Sequence, residues 1–161
     1  MEPQWANYFV ATAGGAAALT GLIFVSVSLN LKRILSIVHL PGRALGSLVL
    51  LTNILITGSF CLVPGQSIFW LGYEILALSA IVWFMLSRMD LTMYRAVERK
   101  YKGHYFQNII FTQLAIVPYI VAGIYMATGC KTGFYWLIPG ITFSFIKSLT
   151  DSWVLLVEIN R

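Results

Sequence analysis

Five long apolar stretches follow one another along the chain, separated by short segments that contain glycine, proline or basic residues. A helix rises 1.5 Å per residue, so about 20 apolar residues cross a hydrocarbon core of about 30 Å. The pattern predicts an all-α, polytopic transmembrane helix bundle. The predicted spans are residues 5–31, 44–63, 68–86, 109–128 and 134–159. The alternative is four spans with one re-entrant segment.

The predicted connections follow from residues that interrupt helices. His39-Leu40-Pro41-Gly42 is expected to end the first connection, and Pro64-Gly65-Gln66 to form a tight hairpin. Gly129-Cys130-Lys131-Thr132-Gly133 is expected to close the last pair of spans. Residues 87–108 form the longest predicted connection, a basic loop.

Composition excludes a water-soluble protein. The 161 residues are 58% hydrophobic and only 11% charged, whereas soluble domains are about a quarter charged. We expect one domain over residues 1–161, with the first span retained rather than removed as a secretory signal, because it carries no basic start and its apolar run is long.

Lysine and arginine placement predicts the orientation of the spans. Nine of the eleven basic residues fall on one side of a five-span arrangement. They are Lys32, Arg33, Arg43, Arg88, Arg95, Arg99, Lys100, Lys102 and Arg161. Only Lys131 falls on the other side, so the positive-inside rule predicts an outer N-terminus and an inner C-terminus. The five tryptophans fall near predicted span ends, as in an interfacial aromatic belt.

Charged residues inside the spans are the main candidates for a site. Lys147 and Asp151 lie one helical turn apart in span five, and Glu74 lies in span three. Because charges at bilayer depth are costly, they either pair with one another or serve a function. In one interpretation Lys147 and Asp151 neutralise each other inside the bundle. In the other, a charged stripe lines a path for protons or small ions. The candidate path residues are Glu74, Lys147, Asp151, Asn53, Ser144 and Ser148.

Small residues indicate where helices approach closely. Ala13, Ala17 and Gly21 recur every four residues and predict one small face on span one. This face predicts either a contact within the chain or an oligomer interface. In span two, Asn53 and Thr57 share a helical face and favour interhelical hydrogen bonds.

The basic loop predicts contact with the membrane surface. Its residues Arg95, Arg99, Lys100 and Lys102 are expected to anchor at anionic headgroups or to dock a protein partner. The topology rule already explains the net charge of +5, so nucleic-acid binding is not expected. Cys61 and Cys130 fall on the same predicted side, which leaves open either a disulfide or two free thiols.

Motifs for catalysis and metal binding are missing from the sequence. The two histidines fall in predicted inner loops, and there is no phosphate-binding glycine loop or G-x-S-x-G motif. We therefore expect no enzyme activity, no cofactor and no metal.

Three segments of the chain resemble a widespread set of small bacterial membrane proteins. They are the run from Trp5 through Ala11-Thr12-Ala13-Gly14-Gly15-Ala16 to Asn30, the segment Val63-Pro64-Gly65-Gln66, and the segment Trp153–Glu158. Some members of that set are labelled modulators of the membrane protease FtsH. The resemblance implies a bacterial cytoplasmic (inner) membrane and supplies no active-site residues.

Two functional hypotheses follow. The first is an oligomeric bundle that conducts protons or small ions through its charged stripe. The second is a non-catalytic regulator or scaffold of another membrane protein complex. Expected partners are the lipid bilayer with its anionic headgroups, further copies of this chain, and a membrane protein partner.

Overall fold

The computed structural model describes residues 3–37, 40–96 and 102–159. This part of the chain is almost entirely α-helical and contains no strand. The helices are α1 (Pro3–Leu29), α2 (Leu31–Ser36), α3 (Leu40–Cys61), α4 (Ile68–Ala96), α5 (Lys102–Ala127) and α6 (Gly133–Ile159). Five of them are long and apolar enough to cross a membrane, which confirms the predicted fold class. Each of the five is one continuous helix, and the alternative of four spans with a re-entrant segment stays a prediction.

The start of α3 corrects the predicted boundary of span two. The helix begins at Leu40 rather than Ala44, and Pro41 and Gly42 lie in its first turn instead of separating two elements. Proline is tolerated there because the first N–H groups of a helix have no partner within the helix. His39 lies outside the described residues. The earlier start brings Arg43 into the helix.

The predicted basic loop is also corrected. Residues 87–96 continue α4, and α5 already begins at Lys102. No glycine or proline occurs between residues 87 and 96, so nothing in the sequence ends the helix there. Arg95 is exposed in the last turn of α4, where a cation interacts favourably with the helix dipole. Arg99 and Lys100 lie outside the described residues, as does the side chain of Lys102.

Two glycine turns sit where the sequence predicts them. Gly65 has φ +72° in the turn before α4. Gly129 has φ +80° after α5, where its N–H donates to the Met126 carbonyl at 2.8 Å. The N–H of Cys130 donates to the Tyr125 carbonyl at 3.0 Å. These two bonds form a Schellman cap, which requires the left-handed conformation that glycine adopts without strain.

The described chain divides into two compact units. Unit 1 contains Met1–Pro64 and Phe145–Arg161, and unit 2 contains Gly65–Ser144. Helix α6 contributes its first residues to unit 2 and the rest to unit 1. The single domain predicted from the sequence stays a prediction.

Glycine allows the helices of unit 2 to pack closely. A Cβ atom on Gly72 of α4 would lie 2.3 Å from the Ala127 backbone nitrogen in α5. A Cβ atom on Gly123 of α5 would lie 3.0 Å from the Leu76 backbone nitrogen in α4. The backbones of α4 and α5 are therefore in direct contact, as is common where small residues occupy a membrane helix interface.

Side-chain hydrogen bonds also join α4 to α5. The Trp83 Nε1–H donates to Gln113 Oε1 at 2.7 Å, and Gln113 Nε2 donates to Ser87 Oγ at 3.2 Å. Asn108 Nδ2 donates to Asp90 Oδ1 at 3.0 Å. Such bonds average about 0.6 kcal/mol in membrane proteins, so they stabilise the pairing modestly and set its register.

In unit 1, α1 packs against α3 through small residues. A Cβ atom on Gly58 would lie 3.0 Å from the Cβ atom of Ala13. Ala13 is buried, whereas Ala17 and Gly21 are exposed. The predicted small face therefore divides: Ala13 makes a contact within the chain, and the other two residues remain uncovered.

Candidate functional site

Lys147 and Asp151 form an ion pair on α6. They are four residues apart on one helix, and their side chains are only 7% and 4% exposed. Lys147 lies about 21 Å along the helix from Gly133 and about 15 Å from Val157, hence near the middle of the span. The pairing within one chain agrees with the first of the two interpretations of these charges.

Arg43 of α3 adds a third charge that the sequence interpretation placed in a loop. Its Nη1 lies 3.7 Å from Asp151 Oδ1, and its side chain is 23% exposed. Among the described side chains, one carboxylate thus faces two cations. A buried charge without full compensation is unfavourable, so a further anion or water beside these groups would stabilise them.

Two serines hold α3 and α6 together beside these charges. Ser47 Oγ donates to the Ser148 carbonyl at 3.3 Å, and Ser148 Oγ donates to the Ser47 carbonyl at 3.2 Å. Both residues are fully buried. The reciprocal bonds require close approach of the two backbones and position Arg43 beside Asp151, one turn away on each helix.

Five side chains with N, O or S atoms lie on the buried side of α3, and the buried Leu50 lies between the second and the third of them. The five occupy an arc of about 120° and extend over about 27 Å of helix. We define the α3 polar stripe as Arg43, Ser47, Asn53, Thr57 and Cys61. All five are buried or partly buried, and the stripe is nearly as long as the hydrocarbon core is thick.

Asn53 and Thr57 in this stripe have unsatisfied polar atoms. Asn53 is 1% exposed and Thr57 is 0% exposed. Within the described chain, neither the Asn53 side-chain amide nor the Thr57 hydroxyl makes a hydrogen bond. Buried polar groups nearly always have a partner in native proteins, and ordered water commonly provides it. The two side chains therefore indicate a polar partner along α3.

Two other predicted path residues have local partners in unit 2. Glu74 is exposed on α4, and its Oε2 accepts a hydrogen bond from Gln66 Nε2 at 2.5 Å. Ser144 Oγ donates to the Ala115 carbonyl at 3.3 Å. The predicted series from Glu74 to Lys147 and Asp151 stays a prediction. The sequence interpretation did not count Arg43, Ser47 and Thr57 among the path residues, although Thr57 was expected to share a helical face with Asn53.

Both cysteines are free thiols in the structure. Cys61 is buried at the end of α3, whereas Cys130 is exposed between α5 and α6. A contact of 3.1 Å joins Cys130 Sγ to Thr132 Oγ1. Hydrogen bonds from the Thr132 side chain and then its backbone lower the pKa of the Cys130 thiol below its ordinary value of 9.0.

We expect Cys130 to be alkylated by iodoacetamide with a rate midpoint below pH 9.0, because the thiolate is the nucleophile. A stopped-time labelling series from pH 6 to 10, read by mass spectrometry in a Cys61→Ser background, measures the midpoint. Thr132→Val removes the side-chain bond and should move the midpoint upward towards 9.0. An unchanged midpoint in Thr132→Val would contradict the assignment of the lowered pKa to this contact.

Potential metal ligands are scattered in this structure. Over residues 3–37, 40–96 and 102–159, no three His, Cys, Asp or Glu side chains are grouped to hold a metal ion. Comparison of the chain with described protein families, curated proteins and solved structures finds no match. The function is therefore inferred from the geometry of the site.

Proposed function

We propose that this small integral membrane protein conducts protons or small ions along the α3 polar stripe, with Lys147 and Asp151 of α6 setting the charge of the path. The observation that carries the proposal is the pair of buried, unsatisfied side chains of Asn53 and Thr57. They lie on the same helix as Arg43, which is paired with Asp151. Ionisable groups inside a membrane commonly mark ion or proton paths.

The length of the stripe supports the proposal. Arg43 begins the stripe near the start of α3, and Cys61 ends it at the last residue of the helix. Water bound at Asn53 and Thr57 would supply the missing hydrogen bonds and would continue the polar series beyond the charges. Polar groups at membrane depth are tolerated where they are buried in protein or line a water-filled cavity.

The charge of the site bears on the conducted species. Arg43 and Lys147 together outnumber Asp151, so a metal cation meets net repulsion there. Protons can be relayed along chains of polar groups inside a membrane protein. A small anion would be attracted by the excess charge. Protons and small anions are therefore the proposed species.

The proposal includes an outer N-terminus, an inner C-terminus and a bacterial inner membrane, as the basic residues and the sequence resemblance suggest. It also includes a homo-oligomer and no catalytic activity. The uncovered side of α1 suits helix association, because a Cβ atom on Gly14 or Gly21 would meet nothing within 4 Å.

Replacing Lys147 with Gln should reduce proton or anion flux by about tenfold or more, because it removes the charge from the middle of the path. The measurement is dissipation of an imposed pH gradient, and separately of a chloride gradient, in proteoliposomes with purified protein. Lys131→Gln is the matched control, since Lys131 is exposed between α5 and α6. Arg43 still pairs with Asp151 in Lys147→Gln, so the variant should fold.

Wild-type protein that carries neither flux would overturn the conduction proposal. The second candidate, a regulator or scaffold, is favoured by the exposed small residues Gly14, Ala17 and Gly21 on α1. The regulator or scaffold role would be supported if the wild-type protein carries no flux and a membrane protein co-purifies with it in a fixed ratio.

A further inference from the structure

The side chain of Ile34 packs helix α2 against the rest of unit 1. Ile34 is 2% exposed and packs with Leu40 and Ala44 of α3 and with Leu155 of α6. Asn30 separates α2 from α1, and its Nδ2 donates to the Ser26 carbonyl at 3.1 Å. Burial of Ile34 therefore fixes the orientation of this short helix and decides which of its other side chains are exposed.

The uncovered sides of α2 are both apolar and basic. Leu31 and Leu35 are 48% and 63% exposed, and they lie on one side at four-residue spacing. Lys32 and Arg33 are also exposed and lie on the sides away from Ile34. No acidic residue occurs between Asn30 and Gly42, so neither cation is neutralised within this segment.

Arg43 is a third cation of this part of unit 1, near the start of α3. It precedes Ala44, which belongs to the same buried cluster as Ile34. Its guanidinium is 3.7 Å from Asp151, longer than a hydrogen bond, and its side chain is partly exposed. Several of its five N–H donors therefore remain available for another anion.

We infer that α2 and the start of α3 form a binding site for an anionic phospholipid, with Lys32, Arg33 and Arg43 at the phosphate and Leu31 and Leu35 against the acyl chains. Exposed leucines require an apolar partner, and the cations beside them require an anion. A phospholipid supplies both in one molecule, whereas free phosphate leaves the leucines uncovered. Short amphipathic helices rest at the headgroup boundary in this way, and basic residues there are attracted to anionic lipid.

The inference does not depend on conduction and is tested by lipid binding alone. Native mass spectrometry of the full-length protein in detergent, titrated with dioleoyl phosphatidylglycerol or dioleoyl phosphatidylcholine, counts bound lipids and gives their affinities. The wild-type protein should retain at least one phosphatidylglycerol and bind phosphatidylcholine less tightly. Lys32→Gln with Arg33→Gln should weaken phosphatidylglycerol binding by about 20- to 30-fold, as about fivefold per charge multiplies.

Arg88→Gln with Lys131→Gln is the matched control, because it removes two exposed cations from unit 2. It should leave the tight phosphatidylglycerol unaffected. Leu31→Gln with Leu35→Gln keeps the charges and should also weaken binding, which distinguishes a lipid from inorganic phosphate. Equal affinity for the two lipids, or an equal loss in the α2 charge variant and the control, would overturn the site. So would unchanged binding in Lys32→Gln with Arg33→Gln.

Discussion

Asp151→Asn should destabilise the protein by about 3–5 kcal/mol, which is the usual effect of removing one partner from a buried ion pair. Asp151 is the carboxylate that faces both Lys147 and Arg43. Without it, Lys147 would retain a charge in a site where its side chain is only 7% exposed. The penalty arises from this uncompensated charge rather than from the lost attraction itself.

Reversible unfolding in mixed micelles of increasing sodium dodecyl sulfate measures the loss. Thr150→Val is the matched control: Thr150 precedes Asp151 but is exposed, and its hydroxyl donates only to the Ile146 carbonyl of its own helix. It should change stability by less than about 0.5 kcal/mol. Lys147→Met combined with Asp151→Leu should recover much of the loss, because apolar residues of similar volume can replace a buried pair.

Wild-type stability in Asp151→Asn would mean that water solvates Lys147 in the folded protein. If the apolar double variant does not recover stability, Asp151 stabilises the protein mainly through its contact with Arg43. The two results therefore separate the roles of the two cations.

Gly72→Ala should destabilise the α4–α5 pairing by about 1–3 kcal/mol or more, the range found for overpacked cores. The new Cβ atom would lie 2.3 Å from the Ala127 nitrogen and 2.6 Å from the Met126 carbonyl carbon. Both contacts are with backbone, which cannot rotate away as a flexible side chain would. The two helices would have to separate, and the hydrogen bonds that Gln113 accepts from Trp83 and donates to Ser87 would lengthen.

The same detergent unfolding experiment applies, with Gly15→Ala as the control. A Cβ atom on Gly15 would lie 3.8 Å from Phe145 Cζ, an ordinary van der Waals distance, and alanine favours a helix over glycine, so this variant should be neutral or slightly stabilising. Equal unfolding of Gly72→Ala and wild type would show that α4 and α5 do not approach this closely.

The correct and incorrect sequence predictions have a common physical origin. Hydropathy located all five long helices, because the thickness of a bilayer imposes a minimum apolar length that is visible in the sequence. Glycine turns at Gly65 and Gly129 were also located, since few residues adopt a positive φ. Helix ends were predicted less well, because Pro41 and Gly42 can begin a helix as readily as they end one.

The candidate site was predicted in part. Lys147, Asp151, Ser148 and Asn53 were recognised because charge or polarity in an apolar span is conspicuous. Arg43 was missed because a basic residue just outside a span is expected from topology alone. Glu74 was recognised for its charge, yet it is exposed and bonded to Gln66. The charge of a residue is visible in the sequence, whereas its partner is not.

The sequence by itself determined that this is an all-helical membrane protein with five long apolar helices and a charged pair in the last one. These properties depend on local composition and on spacing along one helix. Only the tertiary structure decided that Arg43 joins the Lys147–Asp151 pair, that Ala13 is covered while Ala17 and Gly21 are not, and that Asn53 and Thr57 are buried without partners. Those facts depend on which side of each helix meets another helix, and small or polar residues occur on more than one side of α1 and α3.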